Sequence, residues 1–292
     1  MFGRTPGAAL TLIACLALHS GAAQADARLT AHFKISMTGV SIGQMSWIVD
    51  ISAGTYTTST NGRSSGALSM LMNGEGRVAA RGFIDTDRLR PTFFSSSGTE
   101  DGETAGVQMT FENSNVKTLR LDAPRKKDDR IPVSDADKRG VSDPLSAMLI
   151  IAPPRDPSIM DPAHCDRTLP VFDGQRRYDL SLTYKRSDTI KVETGYAGPA
   201  LVCAVTLKPI AGYRADSMVV KYVAGRRDME IWFAPIAGTD MIAPARLVMP
   251  TLLGTLEIAA DRFEALALKS TSPAISPGTP LPPAMGPTDP PK

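Results

Sequence analysis

Gly62-Arg63-Ser64-Ser65-Gly66 has the G-x-S-x-G spacing of a nucleophile elbow, in which a serine hydroxyl sits on a sharp turn between a strand and a helix. Acyl transfer by such a serine needs a histidine as base and an acid to orient it. The only histidine that follows is His164, in a proline-rich stretch beside Cys165, and the chain lacks the strand–helix alternation of that hydrolase fold. The segment therefore reads as a polar turn. Asp135, Asp137 and Gly140 hint at a calcium loop, but Arg139 stands where a third oxygen ligand belongs and Ser146 where the closing glutamate belongs. His164 and Cys165 are adjacent, whereas zinc sites take four ligands, usually in spaced pairs. Neither a P-loop nor a G-x-G-x-x-G opening a helix is present. No catalytic residue, metal or cofactor is expected.

Two other groups of residues carry chemistry. Cys165 and Cys203 are either two free thiols or one disulfide, and an oxidising compartment favours the bond. Closing that loop contributes roughly 4 kcal/mol in the chain-entropy model. Arg176, Arg177 and Tyr178 follow an Asp173-Gly174 turn and are candidates for contact with a ligand or partner, because two guanidinium groups at a strand entrance can clasp an acidic group. Their alternative partners are Asp166 and Asp179, nearby in sequence.

The elements that must position these residues are strands. Apolar residues fall on every second position at Leu29, Ala31, Phe33, Ile35 and Met37, with His32 on the polar side, and again at Met45, Trp47, Val49 and Ile51. The period recurs at Val107 to Phe111, Tyr178 to Tyr184, Leu201 to Leu207, Met218 to Tyr222 and Met229 to Phe233. Such alternation marks strands with one packed face. Turn signals at Gly39, Asp173-Gly174, Ala211-Gly212, Gly225 and Gly238 separate them. The expected fold is mostly β: about a dozen strands in a strongly curved antiparallel sheet, an open or partly closed barrel, with one or two short helices. The clearest helix begins at Asp143-Pro144, carries Leu145, Met148, Leu149 and Ile150, and ends at Pro153-Pro154. It either plugs a barrel end or covers a sheet edge.

The N-terminus has the three-part layout of a secretory signal peptide: a basic start with Arg4, an apolar run from Ala8 to Leu18, and small residues ending at Ala25. The expected organisation is a signal peptide at 1–25, a single β-rich envelope domain at 26–269 and a disordered proline-rich tail at 270–292. Periplasmic location follows, with no membrane-spanning helix after processing. Leu12-Ile13-Ala14-Cys15 also looks like a lipobox, which would instead anchor the chain by an acylated Cys15. The formal net charge is +2 and falls by one with Arg4, so the chain lacks the basic excess of a nucleic-acid binder. Arg125-Lys126-Lys127 is followed at once by Asp128-Asp129 and reads as a solvated loop.

Several segments together resemble a family of bacterial envelope proteins defined by domain of unknown function 3108. They are Gly39-Val40-Ser41-Ile42-Gly43, Tyr56, Leu89-Arg90-Pro91, Asp143-Pro144-Leu145-Ser146, Val171-Phe172-Asp173-Gly174-Gln175-Arg176-Arg177-Tyr178 and Leu252-Leu253-Gly254. No activity is attached to that family, so the resemblance implies none. A more distant architectural likeness is to periplasmic lipoprotein carriers, which wrap a curved sheet around a hydrophobic cavity. Two functions are therefore expected: a non-catalytic binding module for a lipid or other apolar ligand, or a scaffold that acts through its outer surface on envelope proteins. The 13 methionines suit an adaptable apolar surface or ordinary core packing. Intact mass of the protein recovered from a producing bacterium separates the two N-termini: cleavage after Ala25 is expected, and an acylated Cys15 terminus would overturn it.

Overall fold

The alternation that opens at Leu29 becomes strand β1 (Ala27–Met37), with Leu29, Ala31 and Phe33 buried and His32 exposed. The computed structural model describes residues 26–52, 54–65, 74–100, 103–122, 129–152 and 159–268. The expected signal peptide with Cys15, Gly66, the Arg125-Lys126-Lys127 cluster, Pro153-Pro154 and the tail from Ser270 lie outside the described residues.

From β1 the chain meanders through β2 (Val40–Ser52), β3 (Thr55–Ser64), β4 (Gly74–Ile84), β5 (Leu89–Glu100), β6 (Glu103–Glu112) and β7 (Asn115–Leu121). After a connection holding helix α1 (Pro144–Ala147) and β8 (Ile150–Ile151) come β9 (Arg167–Phe172), β10 (Arg177–Lys191), β11 (Thr194–Gly195) and β12 (Ala197–Ala211). Helix α2 (Met218–Gly225) precedes β13 (Met229–Ile236), β14 (Met241–Thr251) and β15 (Gly254–Ala267). All the described strands join one sheet, in the order β7-β6-β5-β4-β3-β2-β1-β15-β14-β13-β12-β10-β9, with β8 paired to β14 and β11 to β15. Every pairing is antiparallel except β11 with β15. The sheet is a strongly curved, barrel-like structure that strand-to-strand hydrogen bonds do not close.

A short extended segment lies between its two edges, β7 and β9. The Val141 amide donates to the Ser114 carbonyl in the β6–β7 turn (2.8 Å). On the other side, the Ser142 amide donates to Pro170 (2.9 Å) and the Phe172 amide donates to Ser142 (2.9 Å). The β9–β10 turn meets the far wall directly. Gly174 has φ +92°, and a Cβ there would sit 2.2 Å from Cγ1 of Val107 on β6, so only glycine fits.

Helix α1 plugs one end of the barrel. Pro144 stands in its first turn, and the Asp143 side chain caps it by accepting from the Leu145 amide (3.0 Å) and the Ser146 amide (2.9 Å). It is shorter than the sequence pattern suggests, a single turn. Ile150 and Ile151 leave it to pair with Ile242 and Met241 of β14, which satisfies more backbone groups in a β environment than a second helical turn would. At the opposite end, Met218, Val220 and Tyr222 lie in helix α2 rather than in the expected strand. Ser217 caps that helix, and Val220 and Val223, three apart, both face inward while Met218 points to solvent.

Asp143 is fully buried, and no ion pair to it is found among the described residues. The Ser146 hydroxyl donates to its second oxygen at 2.5 Å, and the Tyr56 hydroxyl on β3 is 2.6 Å from that same Ser146 oxygen. Burial pushes the Asp143 carboxyl up to about 6, against the hydrogen bonds from Ser146 and Leu145 that pull it down. The native state therefore holds this proton more tightly than the unfolded chain, where the carboxyl has its ordinary value of 3.8. Its stabilisation is complete below pH 3.8 and is lost as pH rises through about 6, a loss on the order of 3 kcal/mol. Asp143→Asn removes this titration while leaving the other carboxylates in place. The urea stability of the native protein should fall relative to that of the variant between pH 4 and 7; parallel profiles would assign the burial cost elsewhere.

Candidate functional site

The registers of β1 to β6 arrange the inner face in rows that run across the strands. Near the plugged end the row Leu29, Val49, Thr58, Ala80, Phe94, Met109 is buried throughout. Two residues further along, the row is Ala31, Trp47, Thr60, Val78, Ser96, Val107. The next is Phe33, Met45, Gly62, Gly76, Gly98, Ala105, so across β3, β4 and β5 the side chains end altogether. Packing thus thins from the plugged end toward the other end, where α2 sits between β12 and β13.

Space opens there in two neighbouring chambers. The first, about 780 Å³, lies against β10, β12, β13 and β14 and is walled by Leu182, Val205, Leu207, Met229, Ile231 and Leu247. Phe33, Trp47 and Met148 form its floor, and Val220 and Val223 of α2 roof it. The Trp47 indole is held in place by donating Nε1–H to the Thr58 hydroxyl at 2.6 Å. The second chamber, about 1120 Å³, shares Met45 and Thr60 with the first and lies over the glycine row, among Ser64, Ser96, Thr99 and Thr104. The first chamber is walled mainly by large apolar side chains, the second mainly by small ones and glycine.

Cys165 and Cys203 form the expected disulfide, with Cα atoms 5.5 Å apart, which fastens the 3-10 turn Pro162–Cys165 to the apolar wall at β12. Of the three candidate contact residues, the structure places Arg176 and Tyr178 on the first chamber. Arg177 is engaged elsewhere: its Nη1 donates to Asp179 and to the Tyr178 carbonyl, both at 2.6 Å. Asp166 is not the partner of Arg176, whose guanidinium lies 3.5 Å from Asp173 and stacks 5.9 Å from the Tyr213 ring centroid. The tight turn at Asp173-Gly174 brings Arg176, three residues on, back against the Asp173 carboxylate. Burial pushes the Tyr213 phenol up to about 12. Sequence reasoning missed Arg130, Tyr213 and Arg214, which join Arg176 at the chamber mouth from separate segments. A tyrosine–arginine pair directly after Gly212 was their only local signal.

The other motifs resolve into local structure. Ser64 ends β3, and its hydroxyl accepts from the Gly74 amide at 3.1 Å. His164 is buried in the 3-10 turn on the opposite wall, so serine and histidine are not brought together. The Asp137 carboxylate accepts from the Ser134 amide (2.8 Å) and hydroxyl (2.7 Å), and Asp135 pairs with Lys138 at 3.0 Å.

The glycine row is not demanded by the backbone. A Cβ would come no closer than 3.5 Å to any atom at Gly62 and 3.7 Å at Gly76 and Gly98, ordinary van der Waals distances. Gly76→Ala and Gly98→Ala should therefore each stabilise the fold by roughly 0.5–1 kcal/mol in chemical denaturation, through the lower entropy of the unfolded chain. Destabilisation of that size would mean that the glycines serve strand bending and not chamber space.

No curated protein is significantly similar to the chain. A solved structure titled as a beta-barrel-like protein of domain of unknown function DUF1849, from Brucella abortus, is similar at 10% identity, with 83% of this chain and 98% of that chain covered and a TM-score of 0.47. A family model described as protein of unknown function (DUF3108) matches residues 31–261, most of the chain, from β1 into β15. With its motif residues Tyr56, Asp143 and Ser146 in one hydrogen-bonded cluster and Asp173-Gly174 in the turn against β6, the chain belongs to the DUF3108 family.

Proposed function

We propose that this protein is a non-catalytic binding module of the bacterial cell envelope that holds a lipid or another apolar ligand inside its barrel. The observation that carries this reading is the apolar chamber of about 780 Å³, lined by leucine, valine, isoleucine and methionine. That volume falls within the roughly 300–1,000 Å³ of small-molecule sites, and such linings take up apolar ligands. Methionines at Met45, Met229 and Met249 give the walls an adaptable surface. The envelope address is supported by the signal-peptide layout of the N-terminus and by the Cys165–Cys203 disulfide, which suits an oxidising compartment.

The scaffold reading has its own support in the apolar tips around the open end. Leu253, in the β14–β15 turn, is 84% exposed, and Met218 on α2 is 76% exposed. Side chains of that size in water favour contact with another surface. The chamber supports the ligand reading over the scaffold reading, because a scaffold acting through its outside needs no unfilled interior.

Trp47 reports on the chamber directly. The chain has two tryptophans, and Trp232 packs on the outer face between Arg186 and Arg246. In Trp232→Phe, fluorescence comes from Trp47 alone. Titration with a bromine-labelled fatty acid should quench it saturably at one equivalent per chain. Absence of quenching in folded protein would overturn the lipid-binding proposal.

A further inference from the structure

We infer that the end of the barrel opposite α1 docks on the surface of a lipid bilayer, with the apolar tips of two turns and of helix α2 entering the interface between headgroups and acyl chains. This rests on the reading of the first chamber as a lipid site and adds where the protein meets its lipid.

Among the described residues, six large apolar side chains are at least half exposed: Val40, Met218, Val219, Leu252, Leu253 and Leu266. All but Leu266 lie at the end opposite α1. Single apolar residues scattered over a surface need no explanation, but five gathered at one end do. The backbone holds their elements together. The Thr38 amide of the β1–β2 turn donates to the Thr255 carbonyl beside the β14–β15 turn at 2.7 Å. Gly254 has φ +120°, and a Cβ there would lie 2.0 Å from Oγ1 of Thr38, so the two turns press on each other. Helix α2 packs against β14, the strand that leads into Leu252.

The chemistry of these segments fits a bilayer better than a protein partner. Ile35–Gly43 and Leu247–Leu256 contain no charged residue, in a chain of which 21% is charged. A protein interface tolerates charges at its rim, whereas hydrocarbon excludes them. Helix α2 is apolar nearly all round, yet none of its residues is buried. Val220 and Val223 face the chamber, so Met218 and Val219 require a second cover on the other side. Its one charged residue, Lys221, has a stem long enough to keep the ammonium at headgroup level. Tyr222 follows, with the Arg226 guanidinium 5.3 Å from its ring centroid, and tyrosine beside a cation suits the membrane–water boundary. The acids at the two ends of the helix are held by arginines, Asp216 by Arg214 and Asp228 by Arg226. The patch is also continuous with the proposed lipid site. The helix that offers Met218 to the outside roofs the chamber with its other face, and Met249 lines the chamber just before the Leu252-Leu253 turn. A bilayer in contact with these tips lies one helix away from the chamber.

The test places an environment-sensitive nitrobenzoxadiazole dye at Leu253→Cys and, as control, at Leu266→Cys near the opposite end. In the chain processed after Ala25, Cys165 and Cys203 are already joined, so the label goes to the introduced cysteine. With neutral phosphatidylcholine vesicles the dye at position 253 should brighten and shift to the blue, and the dye at 266 should not respond. Flotation with the same vesicles should persist at high salt, since the contact is apolar. Leu252→Ser combined with Leu253→Ser should weaken it at least tenfold, because two large apolar side chains no longer leave water. No response at 253, equal responses at both positions, or flotation that salt abolishes would overturn the inference. A dimer dispersed by Leu253→Ser, with no response to vesicles, would overturn it too and assign the tips to a second copy of the chain. The lipid-site reading is tested separately, by Trp47 quenching with a soluble fatty acid and no vesicles, so either can fail alone. If the double serine variant does not fold, the contrast between the two dye positions still decides.

Discussion

A carboxylate buried with no cation beside it among the described residues is costly, and this fold carries one at the point where its sheet would otherwise gape. Asp143 starts α1, and two amides and the Ser146 hydroxyl donate to it while Tyr56 ties Ser146 to β3. The residues just before it, Val141 and Ser142, take up backbone groups from the β6–β7 turn and from β9. One short segment thus joins both edges of an open sheet and sends a helix into the end of the barrel. A hydrophobic residue at position 143 would remove the buried charge but also the cap, leaving the amides of Leu145 and Ser146 without their acceptor. The polar cluster is the simplest arrangement that satisfies all of these groups at once.

Because that end is shut, everything adaptable lies at the other. Helix α2 and the strand ends described there border two chambers whose walls differ in side-chain size as a direct result of strand composition. Strands β10, β12 and β13 bring leucine, valine and isoleucine inward, while β3, β4 and β5 bring threonine, serine and glycine. The disulfide stiffens the apolar wall, since it fixes the turn at Pro162–Cys165 against β12. A barrel of this kind is anchored along one side and one end, and its open end can accommodate change without disturbing the core near Leu29 and Val49.

Much of this architecture was legible in the residues. The alternation in β1, β2, β6, β10, β12 and β13 is plain because each buries one apolar face, and the Asp143-Pro144 start and the cysteine pair carry their own chemistry. Strands β3 to β5 lack that alternation because their inward positions include Thr58 and Thr60, Gly76 and Val78, Ser96 and Gly98, which do not contrast with the outward ones. The glycines of the chamber were visible, but nothing local shows that they fall in one row, since that depends on registers between strands. Helix α2 was misread because Met218, Val220 and Tyr222 fit a period of two, while the period of 3.6 is carried by Val220 and Val223. Arg130 and Arg214 stand 84 positions apart in sequence and meet only through the bridge between their backbones.

The chamber also bears on what kind of protein this is. Enlarged apolar cavities cost stability at roughly 24 cal/mol per Å³, so even a fifth of 780 Å³ left dry would cost about 4 kcal/mol, a large part of a typical folding free energy. A core that only had to be stable could recover that with a few larger side chains, for instance at Val205, or with any side chain at all at Gly76. Space is instead kept on both walls, by modest residues on one and by glycine on the other. The bulky inward residues Phe33 and Trp47 stand at the floor, where they set the depth of the chamber, and the wall above them is left open up to the arginines. The interior of the described residues is thus graded from filled to empty along one axis, and the gradient follows from which side chains each strand turns inward.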